Sequence, residues 1–191
     1  MGVSYGPWQS YSWKNELAEQ SRQVAIHYAE MLSDDYKGQH SPHDMLDRAL
    51  VLCGFVIRRM VERRLVTDKL RAEEFVVRAF PSRAPGEFRP PFVRSSGFDD
   101  HDYDFANAET KRLKIGDLAN EIIHATQLMF AHNEDGIPDG LLIASDWRMK
   151  DRLLHLTIDD FTDLVKRVLD DRVQFESDSR DKTGAVHAIR E

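Results

Sequence analysis

An asparagine and a histidine four positions apart, Asn120 and His124, form the pair in this sequence best suited to chemistry. Residues at this spacing share one face of a helix. A neutral histidine can take a proton from a ribose hydroxyl, and a nearby asparagine can orient it or hold a phosphate oxygen. The alternative is a structural role, with His124 as a hydrogen-bonded histidine at a seam between helices and Asn120 as its partner. The spacing by itself favours this structural role.

Residues 118–124, Leu-Ala-Asn-Glu-Ile-Ile-His, resemble the motif of the HEPN superfamily, the higher eukaryotes and prokaryotes nucleotide-binding domains. In that family an arginine is followed by a polar residue, often asparagine, and a few residues later by a histidine. Asn120 occupies the polar position and His124 the histidine position, whereas Ala119 stands where the family has arginine. The resemblance implies a helical bundle that acts as a dimer, with two motifs facing one cleft. Many members are metal-independent RNases of toxin–antitoxin, abortive-infection and CRISPR systems.

The family arginine holds the scissile phosphate and stabilises its developing charge, which an alanine cannot do. The resemblance therefore implies one of two arrangements. Either an arginine from elsewhere binds the phosphate, with Arg58, Arg59 and Arg112 as the candidates, or the protein is a non-catalytic relative that keeps the fold. In the first arrangement His124 would be the acid/base, and Asn120 would orient it.

A basic stretch over residues 58–71 contains six positive and two negative side chains. Such a stretch could contact RNA phosphates, even in a protein with a net charge of −7. It could also be a solvated helix end that the acidic residues 99–104 complement, and this second interpretation is the commoner one. The charge pattern therefore leaves both interpretations open.

Metal and cofactor sites are not indicated by the remaining polar residues. Residues 99–104 place carboxylates as the first half of a calcium loop does, but Phe105 and Lys111 stand where an EF-hand needs glycine and glutamate. His40 and His43 lack the accompanying ligands of a zinc site. Glycine-rich phosphate loops and the hydrolase nucleophile elbow do not occur in the sequence. We therefore predict neither a metal ion nor a cofactor.

The composition predicts a soluble cytoplasmic protein with a core of its own. The 191 residues include 26 Lys+Arg and 33 Asp+Glu. A single cysteine, Cys53, excludes a disulfide scaffold. No apolar run approaches the roughly 18 residues of a membrane-spanning helix, so no membrane association is expected. Residues 1–20 lack the apolar segment of a signal peptide.

The spacing of apolar residues and of capping residues predicts the elements that would position these side chains. The predicted elements are helices over residues 13–33, from Ser41 into the Arg58–Arg64 region, over 115–132 and from a Thr157 cap onward, a strand at 75–80, and a hairpin of 141–145 with 153–158. Residues 81–108, which are rich in proline and glycine, are predicted to form a long loop.

These elements predict an α+β fold that is mainly a helical bundle of three to four long helices with a small antiparallel β-hairpin or three-stranded sheet. Residues 1–175 would form a single domain, and residues 176–191 a polar, flexible tail.

The sequence thus favours a HEPN-like protein of a bacterial or phage conflict system that either binds RNA or cleaves it as a metal-independent endoribonuclease. Because Ala119 stands at the position of the family arginine, a degenerate member of the family is expected. Whether it is an enzyme stays open at this stage. The resemblance implies a homodimer. The alternative is a non-catalytic module that binds a protein partner, which the acidic balance, the Pro-rich loop and the aromatic residues Trp8 and Trp13 favour.

Overall fold

Three helices come first along the described chain, and single helices then separate groups of two or three strands. The computed structural model describes residues 8–33, 35–83, 102–133, 135 and 137–191. The elements are α1 (Trp8–Met31), α2 (Pro42–Glu62), α3 (Asp68–Ala72), β1 (Glu74–Pro81), β2 (Glu109–Lys114), α4 (Ile115–Ile123), β3 (Ala125–His132), β4 (Pro138–Ser145), β5 (Arg152–Leu156), α5 (Ile158–Asp170), β6 (Glu176–Arg180) and β7 (Val186–Arg190).

The centre of the fold is a five-stranded sheet in the order β2-β1-β5-β4-β3, in which every neighbouring pair is antiparallel. The strands β6 and β7 form a separate two-stranded sheet. The prediction of mainly a helical bundle with a hairpin or three-stranded sheet is therefore wrong. The α+β mixture is present, but the centre of the fold is the five-stranded sheet and not a bundle of long helices.

The largest local correction concerns the helix predicted over residues 115–132. The helix α4 ends at Ile123, and β3 follows it. In β3, Leu128 and Phe130 pack towards the core under the helices, whereas Met129 and Ala131 pack on the other side of the sheet. The run of apolar residues fits both a helix and a strand buried on two faces, so periodicity could not distinguish them.

A second correction is the strand β2, for which the sequence contains no signal. Its residues 109–114 are polar or charged except for Leu113. The strand exists because it pairs with β1, in a register that places Leu113 opposite Phe75 and Arg112 opposite Val76. It lies at one edge of the sheet, where charged side chains are common because they discourage pairing with further strands.

Other predicted elements are confirmed, and their local causes are visible. Ser41 caps α2 by accepting a hydrogen bond from the Asp44 N–H, and Pro42 follows it. Thr157 caps α5 in the same way through the Asp160 N–H. The predicted strand at 75–80 is part of β1, and the predicted hairpin is the antiparallel pair β4 and β5.

The sheet separates two apolar clusters. The larger lies between the sheet and the helices α1, α2, α4 and α5, and it includes the fully buried residues Leu17, Ile57, Leu118 and Leu164. The smaller lies on the opposite face and consists of Phe80, Tyr103, Ala131, Leu142, Ala144, Met149 and Leu153. Each strand of the sheet centre therefore contributes side chains alternately to the two clusters.

Residues 176–191, predicted as a flexible tail, contain the β6–β7 hairpin. The Arg190 N–H donates to a carboxylate oxygen of Asp68 at 2.9 Å, and the Arg64 guanidinium donates to the Ala188 carbonyl at 2.8 Å. These bonds fasten the hairpin to the region around the end of α2 and the start of α3.

The predicted loop at 81–108 lies largely in residues 84–101, outside the described residues, as do Asp99 and Asp100 of the acidic run. Of its described ends, Ser82 forms an isolated bridge with Tyr103. Across the described ranges, no helix has both the length and the apolar character that crossing a membrane requires.

Candidate functional site

The end of α4 positions both residues of the sequence motif. The His124 N–H donates to the Asn120 carbonyl at 3.0 Å, so the two residues stand one helical turn apart. Immediately afterwards Ala125 pairs with Ser145 of β4, and the His124 carbonyl accepts a 3.3 Å hydrogen bond from the Asp146 N–H. The helix therefore ends at Ile123, with His124 as its cap, because the backbone that follows pairs with the sheet.

A buried carboxylate on α4 holds this helix end against the β4–β5 hairpin. Glu121 is 7% exposed, and its Oε2 accepts a 2.6 Å hydrogen bond from the Ser145 hydroxyl. Its Oε1 accepts a 2.8 Å hydrogen bond from Nη2 of Arg152. Hydrogen bonds to a charged partner are about twice as strong as neutral ones. The three side chains thus fix where α4 ends relative to the turn at residues 146–151.

The turn at residues 146–151 brings an exposed aromatic ring to the histidine. The centroids of the His124 and Trp147 rings are 4.4 Å apart and the ring planes are tilted by 51°. Trp147 is 52% exposed although it has one of the largest apolar side chains. Its backbone N–H donates to Oδ1 of Asp146 at 2.9 Å. Solvent-facing aromatic rings of this kind can stack with the bases of a single strand.

The geometry does not match the structural role that spacing favoured for the motif. In the described part of the chain, no hydrogen bond joins the side chains of Asn120 and His124, and the His124 ring has no hydrogen-bond partner. The Asn120 Oδ1 is buried and has no hydrogen-bond partner among the described residues. A buried amide oxygen without a partner is costly. The pair is therefore not a satisfied hydrogen-bonded seam.

The three candidate phosphate-binding arginines lie near the beginning of α4. The helices α2 and α4 are antiparallel, because Gly54 lies against Ile122 and Ile123 while Val61 lies against Gly116. Arg58 and Arg59, which fall between Gly54 and Val61, are therefore level with the first half of α4. Their guanidinium groups pair with Glu62 at 2.8 and 4.0 Å.

Arg112 lies on the edge strand β2, which ends where α4 begins. Across the described ranges, no hydrogen bond or ion pair joins Arg58, Arg59 or Arg112 to Asn120 or His124. The structure thus brings together Asn120 and His124, but not the arginines that were predicted to complete the site.

Arg152 is the site residue that sequence reasoning missed. On β5 it lies on the same face as Leu154 and Leu156, which are buried under the helices. An arginine in phase with buried leucines needs a carboxylate partner, and this pattern was the available signal. Its partner is Glu121, and its Nε atom is buried without a hydrogen bond in the described part of the chain.

The turn also carries two exposed cations, Arg148 and Lys150. Arg148 lies 3.6 Å from a carboxylate oxygen of Asp151. In the described ranges, Lys150 has no ion pair. The cations flank the buried Met149, whose side chain anchors the turn in the smaller apolar cluster. Positive charge and an exposed aromatic ring therefore occur together within six residues of chain, 146–151.

Metal-binding groups do not gather at this site. Among the described residues, no group of three or more His, Cys, Asp or Glu side chains is arranged to hold a metal ion. His43 lies with its Nε2 atom 3.2 Å from the Leu128 carbonyl. Cys53 is fully buried, and burial raises the pKa of its thiol to about 12, so it behaves as a small core residue.

Comparison of the chain with protein-family models, with curated proteins and with solved structures finds no match. The resemblance to the HEPN superfamily therefore stays a prediction that depends on residues 118–124.

Proposed function

We propose that this protein binds single-stranded RNA on the surface formed by His124 and the turn at residues 146–151. The observation that carries the proposal is the contact between the His124 ring and the half-exposed Trp147 ring, at a centroid distance of 4.4 Å. Stacking of a base on an aromatic ring contributes about 1–3 kcal/mol, whichever base it is. Two adjacent rings, one at a helix end and one on a turn, supply such a stacking surface.

The charges near the rings support a nucleic-acid ligand. Arg148 and Lys150 are exposed beside Trp147 and can approach phosphate groups. Asp146 and Asp151 lie in the same turn, so the local charge is mixed and binding should be modest in affinity. The net charge of −7 makes long-range attraction to RNA unfavourable, so binding should depend on local contacts with the rings and cations of this surface.

Cleavage of the bound RNA without a metal ion is the second candidate function. It is favoured by the His124 imidazole, which has no hydrogen-bond partner in the described residues and is therefore available to a ribose hydroxyl. Asn120, one turn earlier, would orient the phosphate or the hydroxyl. Arg152 is engaged by Glu121, so Arg148 is the arginine nearest in sequence to Trp147 that could stabilise the developing charge. A homodimeric conflict-system protein is the setting that the HEPN resemblance implies.

Binding is tested by fluorescence anisotropy of a labelled single-stranded oligoribonucleotide at low salt. Trp147→Ala should weaken binding about 5- to 150-fold, whereas Trp147→Phe should retain most of it. Phe55→Ala, which removes another half-exposed aromatic ring, is the matched control and should bind as the wild type does. Equal affinity of the wild type and Trp147→Ala would contradict the proposal.

Cleavage is tested with the same RNA in EDTA. Wild-type protein should cut it, and His124→Ala should not. His187→Ala, which removes an exposed histidine of the β6–β7 hairpin, should cut normally. Binding without cleavage would reject the RNase and leave RNA binding in place.

Failure of both binding and cleavage would favour the alternative function, a module that binds a protein partner. For that alternative, the structure places Trp13 half-buried against the core, while the side chain of Trp8 lies outside the described residues. Tyr11 and Phe55 are the more exposed aromatic residues of α1 and α2. Light scattering across concentrations tests the homodimer, and a monomer at every concentration would reject it.

A further inference from the structure

A second site lies on the face of the sheet that the helices do not cover. The strand register aligns Arg78 of β1 with His155 of β5, and His155 with Leu142 of β4. Directly opposed residues of antiparallel strands have side chains on the same face. A cation, an imidazole and an apolar side chain therefore form a row across the middle of the sheet, beside Phe80, which is two residues beyond Arg78 on β1.

This row lines a cavity of about 510 Å³. Small-molecule sites have volumes of about 300–1,000 Å³ and combine apolar walls with a few polar groups. The cavity has both features. Its lining includes Phe80, Phe105, Arg78, His155, Asp139 and His132.

One wall of the cavity is aromatic. The Phe80 and Phe105 rings have centroids 4.8 Å apart and planes tilted by 51°. The His155 ring stacks near Phe80, with a centroid distance of 6.2 Å and an angle of 26°. Phe80 and His155 are almost fully buried, whereas Phe105 is only partly buried. The Phe105 ring can therefore offer a flat ligand an offset-stacked or edge-on position, which are the arrangements that aromatic groups prefer.

The polar groups of the cavity favour a negative charge on the ligand. The guanidinium carbon of Arg78 lies 5.1 Å from the centroid of Phe80, and Arg78 has no carboxylate partner in the described part of the chain. The carboxylate of Asp139 is already close to His155, at 3.7 Å from Nε2, and the same nitrogen donates to the Asp139 carbonyl. Among the described residues that line the cavity, Arg78 is therefore the cation that is free to pair with an anionic ligand.

We propose that this cavity binds a small planar aromatic anion, with its ring against Phe105 and its carboxylate on Arg78. A planar guanidinium can bind a carboxylate through two parallel hydrogen bonds. His155, which is 4% exposed, forms the floor of the site and holds Asp139 at its rim. This inference is independent of RNA binding, because the residues of the cavity and those of the His124–Trp147 surface are different.

The proposal is tested with 2-naphthoate and its neutral analogue 2-naphthamide as probes, by NMR titration of the full chain. Naphthoate should bind at least about tenfold more tightly than naphthamide, because only naphthoate pairs with Arg78. Arg78→Gln should remove this preference. Arg180→Gln, which removes an exposed arginine of the β6–β7 hairpin, should leave it unchanged.

The position of binding is read from the same spectra. The largest shifts should fall on Phe80, Phe105 and His155. The proposal is overturned if neither probe binds, if the two probes bind equally to the wild type, or if the shifts centre on Trp147. Phe105→Leu provides a second variant, since Phe105 is only partly buried, and it should weaken both probes by a similar factor.

Discussion

Oε1 of Glu121 lies 2.8 Å from Nη2 of Arg152, in an ion pair that joins the end of α4 to the start of β5. The two side chains are only 8% and 18% exposed. Ser145 completes the group through the other carboxylate oxygen. The position of His124, three residues after Glu121, therefore depends on a contact between elements that are distant in sequence.

Removal of one partner of this ion pair should destabilise the protein strongly. Glu121→Leu should lower the free energy of unfolding by about 3–5 kcal/mol, because it leaves the Arg152 cation buried without compensation. The double variant Glu121→Leu/Arg152→Met should recover most of the loss, and urea unfolding measures both. Arg22→Ala, which breaks an exposed pair with Glu19, should change the stability very little. If the loss of stability in the double variant equalled the sum of the losses in the two single variants, this account would be contradicted.

Substitution of Gly140 should be costly for a different reason. Gly140 has a φ of +100°, and an added Cβ would lie 2.5 Å from the Leu156 carbonyl oxygen and 2.7 Å from the Thr157 Cα. Gly140→Ala should therefore lower the free energy of unfolding by about 2–4 kcal/mol through strain and overpacking together. Gly184→Ala is the matched control, since Gly184 has a φ of +86° but no atom of the described residues would lie within 4 Å of its added Cβ. Its cost should be about 1 kcal/mol, from backbone strain alone. Equal losses would show that the close approach at Gly140 is not significant.

The thiol of Cys53 should be unreactive in the folded protein. It is fully buried on α2, and burial raises its pKa to about 12, so very little reactive thiolate forms near neutral pH. Ellman's reagent at pH 8 should therefore label the protein only in urea. Ser179→Cys places a second thiol on the exposed strand β6 and should react within the mixing time. Rapid labelling of the wild type without denaturant would contradict the packing of α2.

Acid should release the β6–β7 hairpin from the start of α3. The hydrogen bond from the Arg190 N–H is the main reason that the pKa of Asp68 lies below its ordinary value of 3.8. The hydrogen bond from the Arg71 guanidinium lowers this pKa further. A carboxyl group whose pKa is lower in the folded state stabilises the folded state at pH values above the pKa that the group has in the unfolded chain. This contribution is lost as the pH falls below 3.8 and through the lowered pKa.

Hydrogen exchange measures this release. Protection of the Arg190 amide should decrease as the pH falls from about 5 towards 2, after correction for the intrinsic exchange rate. In Asp68→Asn, protection should be lower throughout and independent of pH over this range. A pH-dependent loss of the same size in Asp68→Asn would assign the effect to another carboxyl.

The comparison of β3 with α5 illustrates how much of this fold could be predicted. Both segments are rich in apolar residues. In α5, Thr157 and polar residues between Phe161, Leu164 and Val168 indicate a helix. In β3, four consecutive apolar residues at 128–131 face both sides of the sheet, and no local pattern separates this arrangement from a buried helix. The error in fold class follows from this ambiguity and from the polar edge strand β2.

By itself, the sequence determined the elements whose causes lie within a few residues. The caps at Ser41 and Thr157 satisfy backbone N–H groups three residues further on, and the alternation of Leu154 and Leu156 marks the face of a strand that is buried under the helices. The sequence also identified Asn120 and His124 as neighbours on α4, because the helical turn places them together regardless of the rest of the fold.

Only the tertiary structure decided what surrounds them. Arg152 is 31 residues from Glu121, and Trp147 reaches the His124 ring only because β4 pairs with β3 and ends beside α4. The cavity under Arg78 likewise requires three strands from distant parts of the chain to align in one register. Such contacts form when the apolar faces of separate elements are buried together, and local propensity does not specify which elements will meet.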